Sequence, residues 1–168
     1  MSRGEWFDVL DPEGSRVGKA LRSDCHGNPD LLHQAVHVFV VNGAGEVYLQ
    51  KRSSRKDVQP GKWDTSVGGH VDLGEEPEAA AVRELGEELG VTSARPDYLY
   101  HYIWRSPVES EWIRTYRLSH EGPFVLQPEE IDKGRFWSVA EIEEALGRKI
   151  FTPNFEHEWP RARAALGL

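Results

Sequence analysis

The chain predicts an α/β fold built on a mixed central sheet, and three observations carry that prediction. Residues 35–41, Ala-Val-His-Val-Phe-Val-Val, are strongly β-forming and almost wholly apolar, as suits a central strand covered on both faces. A glycine-bearing loop then leads into an acidic helical stretch that closes at Gly90, a C-capping residue. Downstream, aromatic runs at 98–104 and 112–118 read as strands and precede a helix opened by Ser138.

In chain order, residues 6–10 alternate weakly, Asp11-Pro12-Glu13-Gly14 is a turn, and 16–20 return as a second strand. This N-terminal hairpin, spanning about residues 5–20, passes through an irregular segment into the central strand. Asn42-Gly43-Ala44-Gly45 turns the chain into a partner strand over 46–51, and 52–62 form a basic loop carrying Pro60-Gly61. After the acidic helix, 98–104 and 112–118 are read as antiparallel neighbours joined by the polar loop 105–111. Residues 134–137 give a short aromatic strand, and Ser138 with Glu141 forms a capping box. Residues 152–168 end the chain as a helix interrupted near Pro160, because proline has no amide proton to donate. Strands flanked by helices imply layered packing, and no repeat or linker divides the chain. Residues 1–168 are therefore expected to form one domain.

At 168 residues the chain can bury a continuous core, and 39% apolar with 10% aromatic residues argues against disorder. A formal charge of −8 argues against a nucleic-acid polymer as partner, since that needs a basic patch. It leaves a phosphate substrate open, because bound metal can supply the positive charge. The single cysteine, Cys25, excludes an intramolecular disulfide and fits a reducing compartment. No apolar run approaches the ~20 residues that span a bilayer, and the N-terminus lacks a signal-peptide core. A cytoplasmic location without a membrane partner is expected.

Glu84, Glu87 and Glu88 stand at offsets of three and four and so project together from a helix. Charge runs are often solvated faces, but those space opposite charges along the helix, and here the one basic residue, Arg83, sits beside Glu84. Repulsion among the carboxylates asks for a cation, and hard oxygen ligands suit Mg²⁺, with Mn²⁺ as a substitute. A diphosphate resists attack by water through its own charge. Metal ions can bridge its oxygens and acidify a bound water, and a nearby carboxylate can take the proton. Glu87 and Glu88 are each eligible as base or as ligand.

Gly69, Glu75, Arg83, Glu84, Leu85, Glu87, Glu88, Gly90 and Val91 hold fixed spacings across residues 69–91. That pattern resembles the signature of the Nudix hydrolases at every fixed position. The resemblance implies a Nudix-type α/β/α sandwich in which a loop–helix–loop motif hydrolyses a diphosphate bond in a small molecule. It also implies that Glu84, Glu87, Glu88 and the carbonyl of Gly69 hold Mg²⁺. Glu75 and Arg83 would join loop to helix through a buried pair. Nudix proteins are commonly dimers, which makes a homodimer an expectation with the N-terminal hairpin as a candidate interface.

A second, narrower resemblance runs from about Trp6 to Pro160, to the type I isopentenyl-diphosphate isomerases on the same scaffold. Leu32-His33-Gln34-Ala35, Arg52, Lys56, Pro60-Gly61-Lys62-Trp63 and Ser66-Val67-Gly68-Gly69-His70 follow in the same order. It implies a second metal site at His26, His33, His70, Glu109 and Glu111, with Arg52 and Lys56 on the substrate diphosphate. His37, His101, His120 and His157 match nothing in it. The isomerases supply an acidic cysteine where this chain has Gly68, and an aromatic cation-stabilising residue where Asn154 follows Thr152-Pro153.

Both losses remove isomerase chemistry and leave the hydrolytic residues intact. A Mg²⁺-dependent diphosphate hydrolase is therefore the leading expectation. An isomerase with an altered acid and a non-catalytic diphosphate-binding module are the alternatives. Trp63, Tyr102, Trp104 and Trp112 could stack on a substrate base, although strand aromatics are more often core.

Overall fold

In the computed structural model, which describes residues 4–168, β1 (Trp6–Leu10) and β2 (Arg16–Leu21) form the expected antiparallel hairpin. A single helical turn, α1 (Arg22–Cys25), opens the irregular segment read from the sequence, which continues through residue 31. The central strand β3 (Leu32–Val41) runs antiparallel to β4 (Val47–Arg52) and β6 (Val67–His70), and parallel to β8 (Ser110–Ser119). Short β5 (Trp63–Asp64) pairs antiparallel with β4, β7 (Asp97–Arg105) flanks β8 antiparallel as expected, and β9 (Ile131–Trp137) pairs with β4 on its other side. The sheet is mixed.

Period-two alternation splits β3 between two cores. Val36, Val38 and Val40 pack with Ala80, Ala81, Leu85 and Leu89 of α2 (Pro77–Leu89). Phe39 and Val41 pack instead with Ile142 of α3 (Val139–Ala145) and with Phe155, Trp159 and Ala162 of α4 (Pro153–Leu166). Helices on both faces give the expected α/β/α sandwich. The capping box at Ser138 and Glu141 is present.

Two readings change. α4 runs unbroken through Pro160, which lies on its exposed side between buried Trp159 and Ala162. Proline in a helix costs about 3 kcal/mol, and burying four residues of the opposite stripe outweighs it. β6 was hidden because Val-Gly-Gly-His has little strand propensity; the ladder to β3, with Gly69 opposite Val36, holds it.

The hairpin reaches the loop before α2. The Leu73 amide donates to the Trp6 carbonyl at 3.0 Å, and the Gly74 amide to the Asp8 carboxylate at 3.0 Å. Arg16 holds Asp8 from the other side. Among the described residues no helix is long and apolar enough to cross a membrane.

Candidate functional site

α2 opens at Pro77, whose missing amide proton is no loss in the first turn, and closes at Gly90 in the left-handed region, φ 71°. Its buried stripe is Ala80, Ala81, Leu85, Leu89 and one carboxylate, Glu88. Gln50 of β4 meets that carboxylate: its Nε2 donates to Glu88 Oε1 at 2.9 Å and to the Ser66 carbonyl at 3.0 Å. Glu88 Oε2 is buried with no hydrogen-bond partner. Burial first, then the Glu84 charge, holds the Glu88 carboxyl well above its ordinary pKa. Burial also raises Glu84, against the pull of Arg83.

Glu84 lies across the backbone of Gly69, so a side chain at this position would have to push the Glu84 carboxylate aside. The three carboxylates do not share one environment. Glu88 is buried, Glu84 is nearly so, and the Glu87 side chain is 58% exposed. Arg83 supplies much of the positive charge between them, through Nη1 to Glu84 at 2.7 Å and to Glu87 at 3.2 Å. Its Nε and Nη2 grip Glu75 at 2.9 Å each, and Nη2 also donates to the His70 carbonyl at 3.0 Å. The Arg83 hydrogen bonds hold Glu75 below the usual carboxylate range. The loop-to-helix pair is thus present but half-buried rather than enclosed.

The second constellation forms on the other face of β6. In the β3 ladder His33 stands opposite Glu111 of β8 and Ala35 opposite His70 of β6, which sends all three side chains to one face. His26 caps α1, and Glu109 reaches in from the turn before β8. Ligand atoms of His26, His33, His70 and Glu109 lie within 4.8 Å of one another. His26 Nε2 is 3.3 Å from Glu109 and 3.3 Å from His70 Nε2, while His33 and His70 Nε2 stand 3.8 and 3.6 Å from Glu111. Phe7 stacks against His33 and His70 at 5.4 and 4.8 Å.

Burial pushes His33 down to about 4, lowers His26, and, with His33 beside it, holds His70 well below its usual value. All three imidazoles are neutral near pH 7, the form that ligates metal. Burial, then Glu109, raises Glu111 to about 8. His33 Nε2 and Glu109 Oε2 are buried without hydrogen-bond partners. Converging ligand atoms, two of them buried without hydrogen-bond partners, at separations two ligands of one ion would have, fit a divalent cation.

Arg52 and Lys56 sit on the loop after β4, but each has an internal partner. Arg52 donates to the Val58 carbonyl at 3.1 Å and pairs with Asp64 at 3.5 Å; Lys56 pairs with Glu130. Of the aromatics, Trp112 is core, packed with Leu10 and Leu32, and Trp63 lies edge-on to Trp137. Trp104 stands 5.1 Å from His157, and Tyr102 is buried in a polar network.

That network escaped the sequence. Glu158 of α4, 1% exposed, accepts hydrogen bonds from His37 Nδ1 at 2.7 Å, Tyr100 at 2.8 Å, Tyr102 at 2.9 Å and Thr115 at 2.6 Å. Tyr102 also donates to Asn154 at 2.7 Å. A clue was legible: Glu158 falls on the stripe Phe155, Trp159, Ala162, an acid in an apolar series. Gln50 had no comparable mark.

The model of the NUDIX domain family matches residues 31–155. Over 168 residues the chain is 33% identical to the uncharacterized Nudix hydrolase SCO1686 of Streptomyces coelicolor, covering 99% of this chain and 92% of that protein. It is 30% identical over 159 residues to isopentenyl-diphosphate Delta-isomerase 1 of Photorhabdus laumondii, covering 90% of each. The crystal structure of DR0079 from Deinococcus radiodurans superposes with a TM-score of 0.81 at 26% identity, over 94% of this chain and 98% of that one. With the sandwich, the complete loop–helix–loop and these relatives in agreement, the chain belongs to the NUDIX domain family.

Proposed function

We propose that the protein is a Mg²⁺-dependent hydrolase of a diphosphate bond in a small molecule, a nucleoside di- or triphosphate or a related diphosphate. One observation carries this reading: the buried Glu88 carboxylate, held at Oε1 by Gln50, leaves Oε2 unpaired next to Glu84. An enclosed pair of carboxylates is too costly to keep without a cation and a use for it. Glu84, Glu87, Glu88 and the Gly69 carbonyl are the residues to hold Mg²⁺, with Mn²⁺ as a substitute. When bound, the ion would offset phosphate charge and acidify a bound water.

The chain's own residues do the rest. Gln50 fixes the plane of the Glu88 carboxylate, and its free oxygen is the group best placed to take a proton from the attacking water. Arg83 keeps Glu84 and Glu87 oriented and ties Glu75 to the helix. Arg52 and Lys56 would trade Asp64 and Glu130 for phosphate oxygens. The chain acts as one domain in a cytoplasmic setting, free of nucleic-acid polymers and membranes, and forms a homodimer through its hairpin.

The assembled His26, His33, His70, Glu109 and Glu111 cluster favours a second reading, an isomerase-like enzyme with a second metal. Gly68 and Asn154 weigh against it, since neither supplies the acid or the π face that reaction needs. The test is phosphate release with Mg²⁺ over a panel of nucleotides and prenyl diphosphates. No turnover of any of them, or full activity in Glu88→Gln, would sink the hydrolase reading. Allylic isomer formed without phosphate release would establish the second.

A further inference from the structure

The polar network around Glu158 is more than a buried brace. Burying an ion pair is expensive, and well-packed apolar residues in its place are often as stable or more so. Here Glu158 is enclosed and accepts four hydrogen bonds, so His37 Nδ1 is committed as a donor. Among the described residues His37 Nε2 has no hydrogen-bond partner, and the side chain is 11% exposed. Burial opposes charge on this ring, but the Glu158 carboxylate prevails and raises His37 to about 9.

The strand opposite explains where Nε2 looks. His37 pairs in the ladder with Gly68 on one side and Thr115 on the other. Gly68 is exposed and has no side chain; a Cβ there would stand 3.4 Å from His37 Cδ2 and 3.7 Å from Nε2. Any longer side chain at 68 would cover the ring. The next residue, Gly69, faces Glu84 on the opposite side of β6. Two adjacent glycines therefore open the strand to both faces, with a carboxylate site on one and a charged donor on the other.

We propose that His37, clamped by Glu158, contacts the substrate directly, its Nε2–H holding an anionic phosphate oxygen beside Gly68. This rests on the diphosphate reading for the class of ligand. Glu158 is a positioning residue: it fixes the ring plane and favours the imidazolium with both nitrogens protonated, and Tyr100, Tyr102 and Thr115 fix Glu158. Asp64 and Glu111 also face this region, so the imidazolium offsets carboxylate charge that would otherwise repel the anion.

The probe is inorganic pyrophosphate added to the magnesium-loaded protein. The imidazole proton–nitrogen NMR signal of His37 Nε2–H shifts on binding. His37→Gln and Gly68→Val, the second leaving the His37–Glu158 pair in place, each weaken pyrophosphate binding by calorimetry about tenfold or more, since the lost contact is a charged hydrogen bond. Circular dichroism confirms that both variants are folded. Pyrophosphate that fails to bind the wild type, binds without moving the His37 signal, or binds Gly68→Val with unchanged affinity overturns the inference. A moved signal with no diphosphate turned over would sink the hydrolase reading alone. Turnover with an unmoved signal would sink this one alone.

Discussion

Arg83 and Glu75 are joined by two parallel hydrogen bonds, Nε to Oε2 and Nη2 to Oε1, each 2.9 Å. The same guanidinium reaches Glu84, Glu87 and the His70 carbonyl, so one side chain spans the loop, the helix and β6. Lysine has no planar fork and can serve only one of these partners well. Arg83→Lys is expected to lower turnover about 10–100-fold, the usual effect of losing a residue that orients metal ligands. Steady-state kinetics against Mg²⁺ concentration check this, and the variant should need more Mg²⁺ for half-maximal rate. An unchanged metal requirement would limit Arg83 to fastening the loop.

The different surroundings of Glu88 and Glu87 predict unequal effects from the same substitution. Glu88→Gln removes the buried, unpaired oxygen and should cost about 10²–10⁴-fold in kcat, the range for a general base. Glu87→Gln alters a carboxylate that is 58% exposed and reached by Arg83 alone among the described residues, so a smaller loss is expected. Stability without metal moves the other way from activity. Urea unfolding in chelator should show Glu88→Gln more stable than wild type, because an uncompensated buried acid has been neutralised. Equal kcat losses for the two variants would contradict the assignment drawn from burial.

The histidine cluster predicts a second class of metal site. Equilibrium dialysis with Mn²⁺ should find one more bound ion per chain in wild type than in His70→Gln, and the same count in wild type and Glu111→Asp. Mn²⁺ at a hundred times its Kd should stabilise the folded protein by about 2.7 kcal/mol through this site. Equal stoichiometry in wild type and His70→Gln would show that the neutral imidazoles hold no ion.

Local chemistry made the fold readable. The apolar run of β3, the Gly90 cap and the Ser138 box each state their structure within a few residues. Residues 69–91 were legible for the same reason, since helix periodicity alone brings Glu84 and Glu88 together. β6 was not, because its glycines answer to Glu84 and His37, which lie far away in sequence. Pro160 misled because the local rule for proline was overridden by burial of Trp159. Gln50 and Glu158 belong to contacts spanning 38 and 121 residues, to Glu88 and His37, and no local pattern announces such pairs.

The His37–Glu158 pair predicts a pH dependence of stability with a definite sign. His37 is raised from 6.5 to about 9 in the folded protein, so its contribution is complete below pH 6.5 and is lost as pH rises through 9. Glu158 is lowered by His37 against the effect of burial, so its share is lost only in acid. Two other acids face the ring, Asp64 and Glu111. Glu111, raised to about 8 by burial and then by Glu109, also costs the metal-free protein stability progressively as pH rises from 4.5 to 8, and in full above that. The falling curve of the wild type therefore mixes two groups, and the His37→Gln variant separates them. Urea unfolding in chelator at pH 6, 7.5 and 9 should show the gap between wild type and variant shrinking by roughly 3 kcal/mol across that range. A gap that stays constant with pH would mean that His37 carries no extra proton in the folded state, and that its bond to Glu158 is one between a neutral imidazole and a carboxylate.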